Sequence, residues 1–291
     1  MQMPAPAPSL TPLPATPTSW APALARPARS LSVIVPAYNN LAALIRCLKS
    51  LVQTAAQEAQ AWPPEMRFEI IVQDDCSDQY DAAQLIGHPA SVERNPRNLG
   101  FAGNCNAGAA RAQGDVLLFL NQDTVAHPGW IAPLLAMFLR PEVGVVGPKL
   151  VFTREPGVEE WSIQSCGGLF DAGKGPFHRF LGYHADDWRV NRAERVSWVT
   201  GAALSIRRDL FHAIGGFDTA YVRGYFEDVD LCMQARSRGG EVWYCPEAVF
   251  EHSVGSTGGV APDIFKANSL RFHQAWDSVI VPDTHVIHVN Y

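Results

Sequence analysis

Three groups of polar residues, each carrying carboxylates, recur along the chain: Asp74-Asp75, Asn121-Gln122-Asp123 and Glu227-Asp228. The first two follow apolar runs, Phe68-Glu-Ile-Ile-Val72 and Asp115-Val-Leu-Leu-Phe-Leu120, and the third opens a helical pattern. A carboxylate at the C-terminal end of a strand can accept hydrogen bonds from a base or a ribose. One beside a diphosphate can hold a divalent cation that keeps most of its waters. One facing a hydroxyl can take its proton. Each group also has a plainer explanation. Asp75 or Ser77, and Asp123 or Thr124, could cap helices, and Glu227 and Asp230 are acids that a helix dipole favours in a first turn. Together and in this order they fit a cleft holding a nucleotide, a cation and a polarised hydroxyl.

The elements that must position these groups alternate. Leu31-Ser-Val-Ile-Val-Pro36 predicts a buried parallel strand ended by proline, and Asn39 or Asn40 then caps a helix carrying Leu41, Leu44, Ile45, Leu48 and Leu51. A second strand at 68–72 completes a β-α-β start, which favours a parallel, doubly wound sheet. Further on, the patterns predict helices over 104–113 and 128–139, the latter with proline in its first turn, around a strand at 115–120. A strand follows at 143–146. From Gly147 to Arg195 glycines break the periodicity and short strands with long loops are expected. Order returns at 196–206, with helices over 208–214 and 225–238 and a strand at 241–245.

The motifs carry a resemblance. Val33-Ile-Val-Pro-Ala-Tyr-Asn39, Gln73-Asp-Asp-Cys-Ser77, Asn98-Leu-Gly-Phe-Ala-Gly-Asn-Cys-Asn106 and Leu120-Asn-Gln-Asp-Thr124 stand in one order with Gly215-Gly-Phe-Asp218 and Tyr225-Phe-Glu-Asp-Val-Asp-Leu231. From about Ser32 to Trp276 the chain resembles the inverting glycosyltransferase family 2, and within it bacterial rhamnosyltransferase-like members. The resemblance implies an α/β protein of the GT-A fold: a Rossmann-like, mostly parallel central sheet flanked by helices, with an acceptor-binding second half. It implies a nucleotide-diphosphate sugar donor, deoxythymidine-diphosphate rhamnose being one choice, with Mg²⁺ or Mn²⁺ as cofactor and a glycan or lipid-linked acceptor.

Residue by residue, the resemblance assigns donor binding to Pro36, Tyr38, Asn39, Asp74, Asp75, Asn98, Gly100, Asn104, Asn121 and Gln122, with Asp74 on the pyrimidine. Asn121-Gln122-Asp123 lies where the family has an Asp-x-Asp metal motif. Asn121 replaces its first acid, leaving Asp123 as the metal ligand, with His252 either a second ligand or structural. Asp228 is the implied base for attack of the acceptor hydroxyl on C1, and Glu227 orients the acceptor. Trp198, Thr200 and Gly201 are expected beside the acceptor, although the indole of Trp198 could equally pack in the core. Arg94 and Arg97 either contact phosphate or are solvated.

Composition bounds the alternatives. The chain of 291 residues suffices for one large α/β domain with an extension. A net charge of −6 argues against a long nucleic acid as partner, because phosphate-backbone binding needs a basic face. Six cysteines without a Cys-x-x-Cys pair point to reduced thiols and a cytoplasmic setting, at the inner face of a membrane if the acceptor is lipid-linked. Residues 1–30, rich in Pro and Ala, are expected to form an extended or disordered leader. A domain over 31–276 divides into a nucleotide and metal half (31–150) and an acceptor and catalytic half (151–276), before a tail at 277–291. The amphipathic stretch Ala261–Trp276 either docks on the domain or makes peripheral membrane contact. Two rivals stay open. A sugar nucleotidyltransferase should carry a Gly-rich, basic phosphate loop where Pro36-Ala-Tyr-Asn39 stands, and a non-catalytic nucleotide-sugar-binding scaffold would dispense with the base.

Overall fold

The computed structural model describes residues 29–85, 87–153, 161–253 and 261–283. Strand β1 (Ser30–Ala37) is apolar on both faces because it lies in the middle of the sheet. Helix α1 (Leu41–Glu58) follows, its first turn capped by Asn40, whose side chain accepts from the Ala43 N–H. Its Leu44, Cys47, Leu48 and Leu51 are fully buried against one face of the sheet. Strand β2 (Arg67–Asp74) runs parallel to β1, and β3 (Ser91–Arg94) runs parallel to β2. After α2 (Gly100–Ala109), β4 (Val116–Leu120) returns to the opposite side of β1, again parallel. The order β3-β2-β1-β4 reverses direction between β1 and β4, and an open α/β sheet binds its ligands beyond the strand ends at such a point.

Proline opens that crevice. Ala37 accepts from the Asp75 N–H on the β2 side, so the preceding Pro36 faces β4, where it has no N–H to give. Pairing of β1 with β2 continues to Ala37 and Asp74, whereas pairing with β4 stops at Ile34 and Phe119.

The rest of the chain widens the sheet. Strand β5 (Thr124–Ala126), helix α3 (Ile131–Met137) and the fully paired β6 (Val143–Phe152) come next, then β7 (Ile163–Ser165), the hairpin of β8 (Gly168–Phe170) and β9 (Pro176–His178), and β10 (Glu194–Arg195). Strand β11 (Ala203–Arg207) lies antiparallel between β4 and β6. Helices α4 (Arg208–Ile214) and α5 (Glu227–Ser237), the long β12 (Glu241–His252) and α6 (Pro262–Trp276) complete the chain. The ten-stranded sheet reads β10-β12-β6-β11-β4-β1-β2-β3, with β5 on β12 and β7 on β6. Val33, Val35, Leu118 and Leu120 pack toward α1 and α3, and Ile34, Leu117, Phe119 and Ile206 toward α2, α4 and α5. This is the mostly parallel, helix-flanked sheet of the GT-A fold.

Several boundaries differ from the sequence patterns for identifiable reasons. Helix α2 starts at Gly100 rather than 104 because a distant carboxylate, Asp75, accepts its first N–H groups. Helix α3 starts at Ile131, since Pro128-Gly129 forms a turn with Gly129 at φ +86°, and Glu58 accepts from the N–H groups of Gly129, Ile131 and Ala132. Strand β12 runs on from Cys245 to His252 through a register shift. Helix α6 docks through Phe272, Trp276 and Asn268, while Leu270 faces out and Phe265 is half-exposed. No helix among the described residues is long and apolar enough to cross a membrane. All six cysteines are free. The leader through Ala28, and His285 and His288 of the tail, lie outside the described residues.

Candidate active site at the carboxyl ends of the central strands

The polar motifs meet above β1, β2 and β4. Where Pro36 ends the ladder, the Gln122 amide replaces it: Oε1 accepts from Tyr38 N–H at 3.1 Å and Nε2 donates to Tyr38 C=O at 2.9 Å. The buried Gln122 thus fixes an exposed Tyr38 at the mouth of the crevice. Asn39 bridges to the neighbouring loop, donating its N–H to Ser77 Oγ and accepting from Asp78 and Gln79 N–H through Oδ1.

The two acids after β2 face inward. Asp74 is fully buried; its Oδ1 accepts from Ser77 N–H, Ser77 Oγ and Tyr80 OH, and its Oδ2 lies 3.3 Å from the Arg94 guanidinium. Burial beside this carboxylate pushes the Tyr80 hydroxyl up to about 12. Asp75 accepts from Asn95 Nδ2 (2.9 Å), Leu99 N–H (2.7 Å) and Gly100 N–H (2.9 Å), which places a negative charge at the start of α2. Asn104 completes this buried network, donating to Gln73 C=O and accepting from Asn95. Asn98 donates to Asp75 C=O and accepts from Gly100 N–H.

Beyond β4, Asp123 Oδ1 lies 3.2 Å from His252 Nε2, at the end of β12 where Thr124 pairs with His252. Both side chains are nearly buried. Asn121 Nδ2 approaches the same imidazole nitrogen at 3.4 Å, and Gln164 on β7 holds Nδ1 at 2.8 Å. Among the described residues no three His, Cys, Asp or Glu side chains gather into a metal cluster. One carboxylate and one imidazole can still hold a cation whose shell is completed by phosphate oxygens and water. The two groups, aligned at one strand end with Asn121 neutral, fit such a cation.

Asp228 is joined to the Asn121–Asp123 segment through the backbone. Asn121 N–H donates to Ala202 C=O at 2.9 Å, and the adjacent Gly201 N–H donates to Asp228 Oδ2 at 2.7 Å. Asp228 also accepts from Val229 N–H through Oδ1. A Cβ at Gly201 would meet the Phe101 ring at 3.2 Å and Asp228 Cβ at 3.3 Å, so glycine permits this approach. Burial raises the Asp228 carboxyl above its ordinary value, opposed by the Gly201 and Val229 N–H groups. Burial, reinforced by Asp228 next to it, drives the Glu227 carboxyl well up. Glu227 Oε2 is buried without a hydrogen-bond partner among the described residues.

Residues 32–214 match the family model described as glycosyl transferase family 2. The chain belongs to this family. It is 27% identical over 232 residues to the pre-mycofactocin glycosyltransferase of Mycobacterium tuberculosis, covering 77% of this chain and 43% of that protein. It is 33% identical over 187 residues to the N-acetylglucosaminyl-diphospho-decaprenol L-rhamnosyltransferase of the same organism, covering 60% of this chain and 58% of the relative. The chain thus spans less than two thirds of the length of these curated relatives. The crystal structure of GalNAc-T7 with UDP, GalNAc and Mn²⁺ superposes with a TM-score of 0.66 at 18% identity, covering 86% of this chain and 48% of the other. The matched family segment ends at Ile214, before Glu227 and Asp228.

In this family 2 chain, the residues singled out by sequence divide into two sets. Tyr38, Asn98 and Gly100 line the strand ends, Asn121, Asp123 and His252 converge beside them, and Thr200 and Gly201 meet Asp228 at the turn before β11. Five of these residues are engaged in internal contacts. Asp74, Asp75 and Asn104 make internal bonds that brace the loops around them, while Asp74 Oδ2 lies beside Arg94 without a hydrogen-bond partner among the described residues. The Trp198 indole is buried against Gly168 and His178, as its core-packing alternative expects, and its N–H donates to Leu169 C=O. Arg94 is tied to Asp74 and the Ser77 carbonyl. Sequence reasoning missed Asn95, the hub of the buried network, and Gln164, which orients His252. Asn95 sits in a Pro- and Asn-rich turn that carries a loop signal only, and nothing around Gln164 marks it.

Proposed function

We propose that this chain transfers a sugar from a nucleotide-diphosphate donor, with inversion, to a hydroxyl of a glycan or lipid-linked acceptor. The observation that carries this reading is the continuous link from Asp123–His252 through Asn121 and Ala202 to Gly201 and Asp228. It sets a cation-binding pair and a positioned base on the same rim of the crevice. Asp123 and His252 would hold Mn²⁺ or Mg²⁺, which when bound neutralises charge on the departing diphosphate. Tyr38, held by Gln122, faces the nucleotide, and the loop of Asn98 and Gly100 flanks the phosphates.

Asp228 accepts the acceptor's hydroxyl proton. Its two backbone N–H partners keep the carboxylate oriented and favour its ionised form against burial. Glu227, its carboxyl pushed well up by burial and by Asp228, keeps Oε2 without a partner among the described residues and would orient the acceptor. A rhamnosyltransferase relative and a structural neighbour bound to UDP support trying deoxythymidine-diphosphate rhamnose and uridine-diphosphate sugars first. A cytoplasmic setting agrees with six unpaired thiols.

Heat denaturation of the full chain with UDP, dTDP and GDP and their sugars, with and without Mn²⁺, tests the donor site. Selective protection by one nucleotide class, enhanced by Mn²⁺ and diminished in Asp123→Ala, supports it. No shift with any nucleotide at millimolar concentration sinks it. With the donor so chosen, Asp228→Asn separates enzyme from scaffold: protection persists while donor turnover falls by about 10²–10⁴-fold.

A further inference from the structure

Asp228 stands in the first turn of α5, yet that helix has no side-chain N-cap: its N-cap residue is Phe226, at φ +75°. The approach to it is unusual. Arg223 (φ +63°), Gly224 (φ +131°), Tyr225 (φ +71°) and Phe226 all occupy left-handed backbone, which non-glycine residues hold only when the surroundings impose it. The turn also lies against the donor loop, since a Cβ on Gly100 would sit 3.8 Å from Arg223 N.

One side chain from another element grips this turn. Asn268, in the middle of α6 and only 3% exposed, donates Nδ2 to the carbonyls of Gly224 (2.8 Å), Val222 (3.1 Å) and Tyr225 (3.3 Å), and its Oδ1 accepts from Val222 N–H (3.3 Å). Phe272 of α6 packs on Phe226 from below, and Phe265 packs on Tyr225 and Phe226. The side chain thus fits this turn through both its donors and its acceptor. Alanine would leave three carbonyls without their donor, and aspartate would set an anion against them.

We propose that Asn268 is a positioning residue for the base: by fastening the turn Val222–Tyr225, whose Arg223, Gly224 and Tyr225 hold left-handed backbone, it sets where α5 begins, and hence where Asp228 and Glu227 point. This rests on the reading of Asp228 as base. It also gives α6, which lies beyond the matched family segment, a part in turnover that needs no contact with substrate.

The test uses the full chain with the donor identified by heat protection, and compares Asn268→Ala, Asn268→Asp and, as a surface control on the same helix, Leu270→Ala. Asn268→Ala is expected to lower kcat by about 100-fold, the cost of a small misplacement of a reacting group, with donor KM nearly unchanged. Amide exchange across 222–229 should quicken in the same variant while the core strands stay protected. Asn268→Asp should be the poorer variant near pH 8 and recover relative to wild type toward about pH 5, as its acid regains a donor. That recovery decides the matter if the alanine variant does not fold. A folded Asn268→Ala enzyme with wild-type kcat, or an Asn268→Asp pH profile parallel to wild type, overturns the proposal while leaving Asp228 as base. A wild-type chain that turns over no donor overturns the underlying reading instead, and this proposal with it.

Discussion

Asp75 offers the sharpest test of whether an acid after β2 meets the donor or braces the site. In Asp75→Asn the amide oxygen can keep the two contacts now made by Oδ1, to Asn95 Nδ2 and Leu99 N–H. The amide nitrogen then faces the Gly100 N–H, donor against donor, where Oδ2 now accepts at 2.9 Å. One charge-assisted bond is worth about 1.5–3 kcal/mol net. A charge at a helix N-terminus adds roughly 0.3–1 kcal/mol. Asn98 Oδ1, already 3.1 Å from the same N–H, limits the loss. The sum is about 2–3 kcal/mol, a melting point lower by roughly 5–10 °C for a domain of this size. Urea unfolding of both proteins reads the stability term, and heat protection by nucleotide and Mn²⁺ reads the site. The variant should lose stability and keep the protection increment. Wild-type stability with loss of nucleotide protection would refute the bracing role and return Asp75 to the donor.

Three further outcomes follow from the same geometry. Gln164→Ala should weaken Mn²⁺ binding by about 10–100-fold, because Gln164 fixes the His252 ring through Nδ1; Mn²⁺ titration of the heat protection measures it. Trp198→Ala should cost about 3–5 kcal/mol in urea unfolding with donor KM unchanged, since the indole fills core space rather than a sugar site. Asp230 is buried, accepts from Tyr221 OH and Trp276 Nε1, and burial pushes its carboxyl up to about 6. Its folded pKa lies above the unfolded value, so between about pH 4 and pH 6 the native state binds the extra proton and stability falls as pH rises through that window. Asp230→Asn keeps an oxygen for both donors, so it should flatten that decline and be more stable than wild type near pH 7 by up to about 3 kcal/mol; urea midpoints across pH check both statements.

The fold was largely legible because its strands are short apolar runs ended by Pro36, Asp74 and Asn121, and its helices carry apolar spacing. What local pattern could not reveal was interaction at a distance. Asp75 starts α2 from 25 residues away, and Glu58 starts α3 from the far end of α1. Identical residue types at the same kind of position also part ways in three dimensions. Asp74 and Asp75 stand side by side at the end of one strand, yet Asp74 accepts from Ser77 and Tyr80, and Asp75 from Asn95, Leu99 and Gly100. Trp198 reads equally as a sugar platform or as core packing, and only the fold shows its indole filling the space over Gly168. Gln164 and Asn268 act through backbone or ring nitrogen contacts that no motif marks.

The neutral residue in the metal motif has a thermodynamic consequence. A second acid at position 121 would strengthen cation binding to the free protein but would also repel the donor's diphosphate. With Asn121 there instead, Asp123 is the carboxylate that faces His252, and the missing ligands must come from the phosphates and water. On the proposed function, cation and donor would bind as a coupled pair, and the coupling would be reciprocal: the factor by which Mn²⁺ tightens nucleotide binding equals the factor by which nucleotide tightens Mn²⁺. Asn121→Asp should break this balance, raising Mn²⁺ affinity in the absence of nucleotide while shrinking the coupling factor. Calorimetric titration of each ligand with and without the other measures both quantities. An unchanged coupling factor in that variant would mean that the cation does not sit between residue 121 and the diphosphate.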